Sequence, residues 1–217
     1  MKRRRVANLL ALAVLSLLRP GYPMHPYQIA NVLRRTGKDR DMPIKVGSLY
    51  TVVRNLERHG FIEATGSHRA GRRPERTEYA ITDAGRAELR DWLRELVAVP
   101  GPEYPRFQAA LSVLSTLHPD EAAESLQERL HALDDDIAAR QIALAHGEGT
   151  RRLFLIEDEY ALEMRRAEAT WVRRLLAEIS NGNFPDLAGW REFHDTGYVL
   201  AEFTQMLAEE EGGTATN

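Results

Sequence analysis

The chain has 217 residues, 43% hydrophobic and 28% charged, which suits one large or two small folded domains and excludes wholesale disorder or a collagen-like repeat. It contains no Cys, so disulfide frameworks, thiolate zinc sites, iron–sulfur clusters and a Cys nucleophile are ruled out. The net charge of −3 hides a polarity: residues 1–95 hold 19 Lys/Arg and 10 Asp/Glu, net +9, while residues 96–217 hold 10 and 22, net −12. A basic half joined to an acidic half predicts a polyanion-binding module fused to one that avoids polyanions.

Met1-Lys2-Arg3-Arg4-Arg5 followed by the apolar run Leu9 to Leu18 has the outline of a secretory signal. The run is too short for a membrane helix, which needs about 20 residues. It is followed by Leu17-Leu18-Arg19-Pro20-Gly21-Tyr22 rather than an Ala-x-Ala cleavage pattern. A first helix over Asn8 to Leu18, buried in a core, is the better reading, with a cytoplasmic location and no membrane partner expected. A second helix is predicted over Pro26 to Arg35, with Ile29, Val32 and Leu33 on one face and Gly37 at its end. After a polar connection, Lys38 to Pro43, a third is predicted over Gly47 to His59. Leu49, Val52, Val53 and Leu56 share its apolar stripe; Gly47, Thr51, Arg54, Asn55 and Arg58 lie opposite, flanked by Ser48 and Tyr50.

Beyond Gly60 the periodicity changes. Phe61 to Thr65 and Thr77 to Ile81 read as two short strands. The loop between them, Gly66 to Arg76, carries four Arg and one acid. Thr82 is the expected N-cap of a fourth helix reaching about Val97. Val99-Pro100-Gly101-Pro102-Glu103-Tyr104-Pro105 marks a domain boundary, giving domains 1–99 and 100–217. The second is read as all helical. Phe107 to Thr116 forms one helix, and Pro119 opens another with a heptad-like seam at Leu126, Leu130, Leu133, Ile137 and Leu144. Gly147-Glu148-Gly149 breaks that helix, and Arg151 to Ile179 forms a long one, with Ile156, Tyr160, Met164, Ala167, Trp171, Leu175 and Ile179 in a stripe. A last helix covers Leu187 to Leu207, and Glu209 to Asn217 is expected to fray.

The order helix–helix–helix–strand–basic loop–strand–helix is that of a winged helix-turn-helix, so the fold class expected is mainly α, with an all-α C-terminal dimerisation domain. Such a module lays one helix in the major groove and its hairpin on the backbone or minor groove. The third helix has the required chemistry: Arg addresses guanine edges, Asn adenine edges, and Ser, Thr and Tyr address phosphates. The expected DNA-contacting residues are Tyr27, Lys45, Ser48, Tyr50, Thr51, Arg54, Asn55 and Arg58, with His68, Arg69, Arg72 and Arg73 from the wing. Two other classes are weighed: a docking module that binds protein through the winged helix, and an enzyme in the helical half. A docking surface has no need of so dense a cluster of wing Arg, and the sequence holds no Gly-x-Ser-x-Gly elbow, Gly-rich phosphate loop or His-Glu-x-x-His. No catalytic residue, metal site or cofactor is predicted. The pair His131 and Asp135 and the run Asp134-Asp135-Asp136 read as a solvated acidic surface rather than a cation site.

Met24-His25-Pro26-Tyr27-Gln28-Ile29, Gly47-Ser48-Leu49-Tyr50, Leu56-Glu57-Arg58-His59-Gly60-Phe61-Ile62, Arg72-Arg73-Pro74 and Tyr79-Ala80-Ile81-Thr82-Asp83-Ala84-Gly85-Arg86 resemble the PadR family of bacterial transcriptional regulators over about residues 8–97. Helical patterning and Glu103-Tyr104-Pro105-Arg106-Phe107 resemble the longer members, whose C-terminal domain dimerises. Pro26 departs from the Gly often found there, and residues from about 184 onward extend past the usual domain. The resemblance implies a dimeric repressor of an inverted-repeat operator in double-stranded DNA; the apolar stripes at 126–144 and 156–179 read from their spacing as core or dimer seam, with Leu126, Leu130, Leu133 and Ile137 the candidates for the dimer interface. The resemblance also implies an aromatic effector pocket, for which Trp92, Tyr104, Arg106, Phe107 and Trp171 are the candidates.

Overall fold

A computed structural model of the chain describes residues 4–38, 45–68, 76–147 and 149–197, leaving aside the side chains of residues 46, 67, 68 and 76. Backbone packing divides the chain into two compact units, Met1–Glu103 and Tyr104–Asn217.

The first unit contains α1 (Leu9–Leu18), α2 (Pro26–Arg35), α3 (Val46–Arg58), β1 (Ile62–His68), β2 (Arg76–Ile81) and α4 (Asp83–Ala98). The Asn8 side chain accepts the Leu10 N–H at 2.9 Å and starts α1. Leu10, Ala11, Val14, Leu15 and Leu18 are buried, so the signal-like run is the central core helix; a helix apolar on most sides belongs in an interior. Ile29 and Leu33 of α2, Leu49, Val52, Val53 and Leu56 of α3, Ile62 and Ile81 of the strands, and Leu89 and Trp92 of α4 close over it. The strands pair antiparallel, with an irregularity between Ala64 and Gly66 that leaves Thr65 as an extra residue. Pairing continues past Thr65 to His68, so β1 is longer than the alternation alone predicts.

The start of α4 is fixed by a compact cap. Thr82 Oγ1 accepts the Gly85 N–H at 3.1 Å and donates to the Gly60 carbonyl at 2.7 Å, and the Thr82 N–H donates to the Phe61 carbonyl at 3.1 Å. A Cβ at position 85 would lie 2.0 Å from that Phe61 oxygen. Only glycine permits this approach of α4 to the strand entrance.

The second unit contains α5 (Arg106–Leu111), α6 (Pro119–His146), α7 (Ile156–Ser180) and α8 (Leu187–Thr196). The helix expected over Phe107 to Thr116 is interrupted. Ser112 Oγ donates back to the Ala109 carbonyl at 2.7 Å, Val113 leaves the helical region, and a 3₁₀ turn follows over Leu114–Thr116. The long helix expected from Arg151 begins at Ile156, after a 3₁₀ turn over Arg152–Phe154. Leu155, at φ −122°, packs its methyls near Gly147 at the end of α6 and closes the hairpin. Leu126, Leu130 and Leu133 pack with Ala169, Val172, Ile179 and Leu187 in the core of this unit. Gly197, at φ +71°, ends α8 in the left-handed conformation glycine favours. The remainder of the last helix expected to Leu207, and the tail from Glu209, lie outside the described residues.

Candidate nucleic-acid interface

The His25 ring accepts the Tyr27 N–H at 3.1 Å, while the Gln28 side chain accepts the His25 N–H at 2.8 Å. This reciprocal cap fixes the entry to α2, where Pro26 occupies the first turn. Tyr27 is exposed, and the Tyr50 ring of α3 sits edge-on to His25 at 6.5 Å. The two helices therefore present two exposed tyrosines, with the Tyr50 ring beside His25.

Along α3 the two faces separate as the stripe predicts. Leu49, Val52, Val53 and Leu56 are at most 3% exposed. Gly47, Tyr50, Thr51, Arg54 and Arg58 are exposed, Ser48 and Asn55 half-buried, and Lys45 stands exposed at the helix entrance. Thr51 Oγ1 donates to the Gly47 carbonyl at 3.1 Å. Its hydroxyl proton is thus engaged within the helix, and what it offers outward is a lone pair and a methyl, the latter suited to a thymine methyl. Arg54 and Arg58, one turn apart, keep their guanidinium groups at the surface.

The hairpin is fixed at its base. The Met24 N–H donates to the Tyr79 carbonyl at 3.0 Å, and the Tyr79 N–H returns to the Met24 carbonyl at 3.1 Å. Partial burial, and then the Glu57 carboxylate, push the Tyr79 hydroxyl above its ordinary pKa, so it stays neutral. Of the expected wing contacts, His68 lies in β1 with only its backbone described. Arg69, Arg72 and Arg73 lie outside the described residues.

The candidates for an effector pocket are distributed differently from expectation. Trp92 is 2% exposed in the core of the first unit, with the Arg4 guanidinium 5.5 Å from its ring centroid, so no ligand reaches its face. Tyr104 is fully exposed. Phe107 and Trp171 do meet, edge to face at 6.1 Å, and with Arg106 they line a groove of about 540 Å³. Two residues that sequence reasoning missed join them. Arg129 stacks on Phe107 at 3.6 Å and donates from Nε to Glu168 at 2.8 Å; Arg165 donates to Glu168 and Asp136, both at 3.1 Å. Their sequence signal, isolated arginines on charged helices, is common to any solvated face.

The expected dimer leucines Leu126, Leu130 and Leu133 are between 3% and 8% exposed, covered within their own unit, and only Ile137 is half-buried. A seam at this spacing served to pair α6 with α7 inside one chain. Ile156, Tyr160 and Met164 are instead exposed along α7, as Ile142 is on α6. The acidic run is also engaged: Asp134 pairs with Arg173, and Asp136 with Arg140 at 2.9 Å as well as Arg165. Burial works to raise the Asp136 pKa, but Arg140 and then Arg165 outweigh it and hold the carboxyl below its ordinary range. His131 lies 2.9 Å from the Gln127 amide. Among the described residues no group of three His, Asp or Glu is arranged to hold a metal ion, and no helix is long and apolar enough to cross a membrane.

Residues 14–91 match the transcriptional regulator PadR-like family. Bacillus subtilis PadR in complex with operator DNA superposes with a TM-score of 0.65 at 23% identity, over 79% of this chain and 99% of that one. The same protein in complex with p-coumaric acid gives 0.62 at 22% identity, over 80% and 99%. The Vibrio cholerae virulence activator AphA gives 0.61 at 20%, over 79% and 98%. At these identities the likeness is one of fold. No curated protein sequence matches the chain.

Proposed function

We propose that the chain, whose residues 14–91 match the PadR-like family, is a DNA-binding transcriptional regulator, a homodimeric repressor of an inverted-repeat operator. The observation that carries the reading is the two-sidedness of α3: one apolar face sealed in the core and an opposite face bearing Thr51, Arg54, Asn55 and Arg58. Those groups can read base edges and grip phosphates, while the Arg-rich hairpin loop supplies further phosphate contacts. The complex of Bacillus subtilis PadR with operator DNA supports the same use of the fold. The apolar stripe on α7 is the surface proposed for dimerisation, and two-fold protein symmetry calls for two-fold operator symmetry. The test is fluorescence anisotropy of a labelled duplex titrated with the full chain at increasing salt. Affinity should fall linearly in log–log form; no binding at low salt would end the reading.

We further propose that the groove at Phe107 and Trp171 takes a flat aromatic carboxylate as effector. Trp171 offers a stacking face, and Arg106, which pairs with no acid among the described residues, offers a carboxylate partner. The p-coumaric acid complex of Bacillus subtilis PadR supports that ligand class. Such a ligand releases DNA only if it binds the DNA-free geometry more tightly. Hydroxycinnamates should quench the fluorescence of Trp171, and quenching that persists in Trp171→Phe would place the ligand elsewhere.

A further inference from the structure

The chain entering α1 is anchored at every second residue. Arg4, with a side chain 3% exposed, donates from Nη1 to Glu88 at 2.7 Å and Asp91 at 3.3 Å, and from Nη2 to Glu95 at 2.5 Å. Burial opposes its charge, but Glu88 and Glu95 hold the guanidinium firmly protonated. Val6 belongs to the core of the unit, and Asn8 caps α1. Between these fixed points Arg5 is exposed and pairs with no acid among the described residues. It lines a groove of about 420 Å³ whose other wall is the outer face of α3, at Gly47, Ser48, Thr51 and Asn55.

Resting on the DNA-binding reading above, we propose that Arg5 is a further DNA contact: an N-terminal arm that grips a backbone phosphate beside α3. A helix about 10–12 Å across nearly fills a major groove about 12 Å wide. A cation alongside the outward face of that helix therefore meets the phosphates bordering the groove. An arginine fork matches phosphate oxygens two at a time. Because Arg4 and Val6 hold the backbone on both sides, little ordering cost remains to be met on binding. The three carboxylates around Arg4 thus act as positioning residues for its neighbour.

The experiment measures anisotropy of a fluorescein-labelled mixed-sequence duplex with the full-length chain across a series of KCl concentrations. Wild type, Arg5→Ala, Arg5→Lys and Arg54→Glu are compared, with thermal unfolding of each. Arg5→Ala should bind several-fold more weakly and lose about 0.9 from the salt slope per DNA-bound protomer. Arg5→Lys should keep the slope, and neither should change the unfolding midpoint. If Arg5→Ala binds with wild-type affinity and slope while Arg54→Glu is impaired, the arm is refuted and the DNA-binding reading stands. If wild type binds no duplex at any salt, both fall. A lowered unfolding midpoint in Arg5→Ala would assign the residue a structural role and overturn the proposal.

Discussion

Gly85 is where one hydrogen atom in place of a methyl decides whether the first unit closes. With the Phe61 carbonyl 2.0 Å from a would-be Cβ and the Ile81 side chain at 2.9 Å, Gly85→Ala must move backbone, not a flexible side chain. Overpacking of this kind costs about 1–3 kcal/mol and more where backbone is the obstacle, so the chemical-denaturation midpoint should fall clearly, whereas Gly47→Ala, with open space around its Cβ, should not lower it. Arg54 belongs to the same scale. Arg54→Ala should reduce discrimination between operator and random duplex by about 1–3 kcal/mol if a base contact is lost. Removing Arg72 and Arg73 together should weaken both duplexes alike and flatten the salt dependence. A preference for A·T flanks that disappears in the double variant would assign the wing to the minor groove instead.

The elements differ in how far the chain announced them. Helices α2, α3 and α4 were readable because each has an apolar stripe and a marked terminus: Pro26 and Gly37, Gly60, Thr82. The interruption at Leu155 was not readable, since it arises from packing near Gly147 that no local rule contains, whereas the one at Val113 has a local cause, the Ser112 back-bond, that apolar patterning alone passes over. The seam leucines illustrate a deeper ambiguity. A 4-3-4 spacing fits a partner helix equally well whether it comes from the same chain or another, and here α7 is that partner. Similarly, the outer face of α3 was evident from periodicity, whereas Arg5 beside it and Arg129 on Phe107 needed three dimensions. The α6–α7 pairing also has a titratable signature. Asp136 is held below its ordinary pKa in the folded state, so its contribution is present above about pH 4, the unfolded value, and is lost as pH falls through the lower folded value. Asp136→Asn should lower the thermal midpoint at neutral pH, and the gap from wild type should narrow in acid. A gap independent of pH would mean that Arg140 and Arg165 do not stabilise the carboxylate.

At the scale of the molecule, residues 1–95 are basic and 96–217 acidic, net +9 and −12, which favours a single orientation on a polyanion. The outward stripe of α7 and the buried leucine seam of α6 have different parts, one in assembly and one in folding. Tyr160→Asp with Met164→Asp, both exposed on α7, should give folded monomers by light scattering, with weaker operator binding because one half-site supplies half the contacts. Leu130→Asp buries a charge in the unit's own core and should unfold that unit instead. Folded dimers from the α7 double variant would move the interface to another face. The most direct measurement of the central claim is selection of bound duplexes from a random-sequence pool by the full-length chain. It should enrich an inverted repeat with half-sites about one helical turn apart, about 34–36 Å, and Arg54→Ala should abolish or relax that enrichment. A pool that remains random through successive rounds, or an enriched site unaffected by changes on the outer face of α3, would contradict the account.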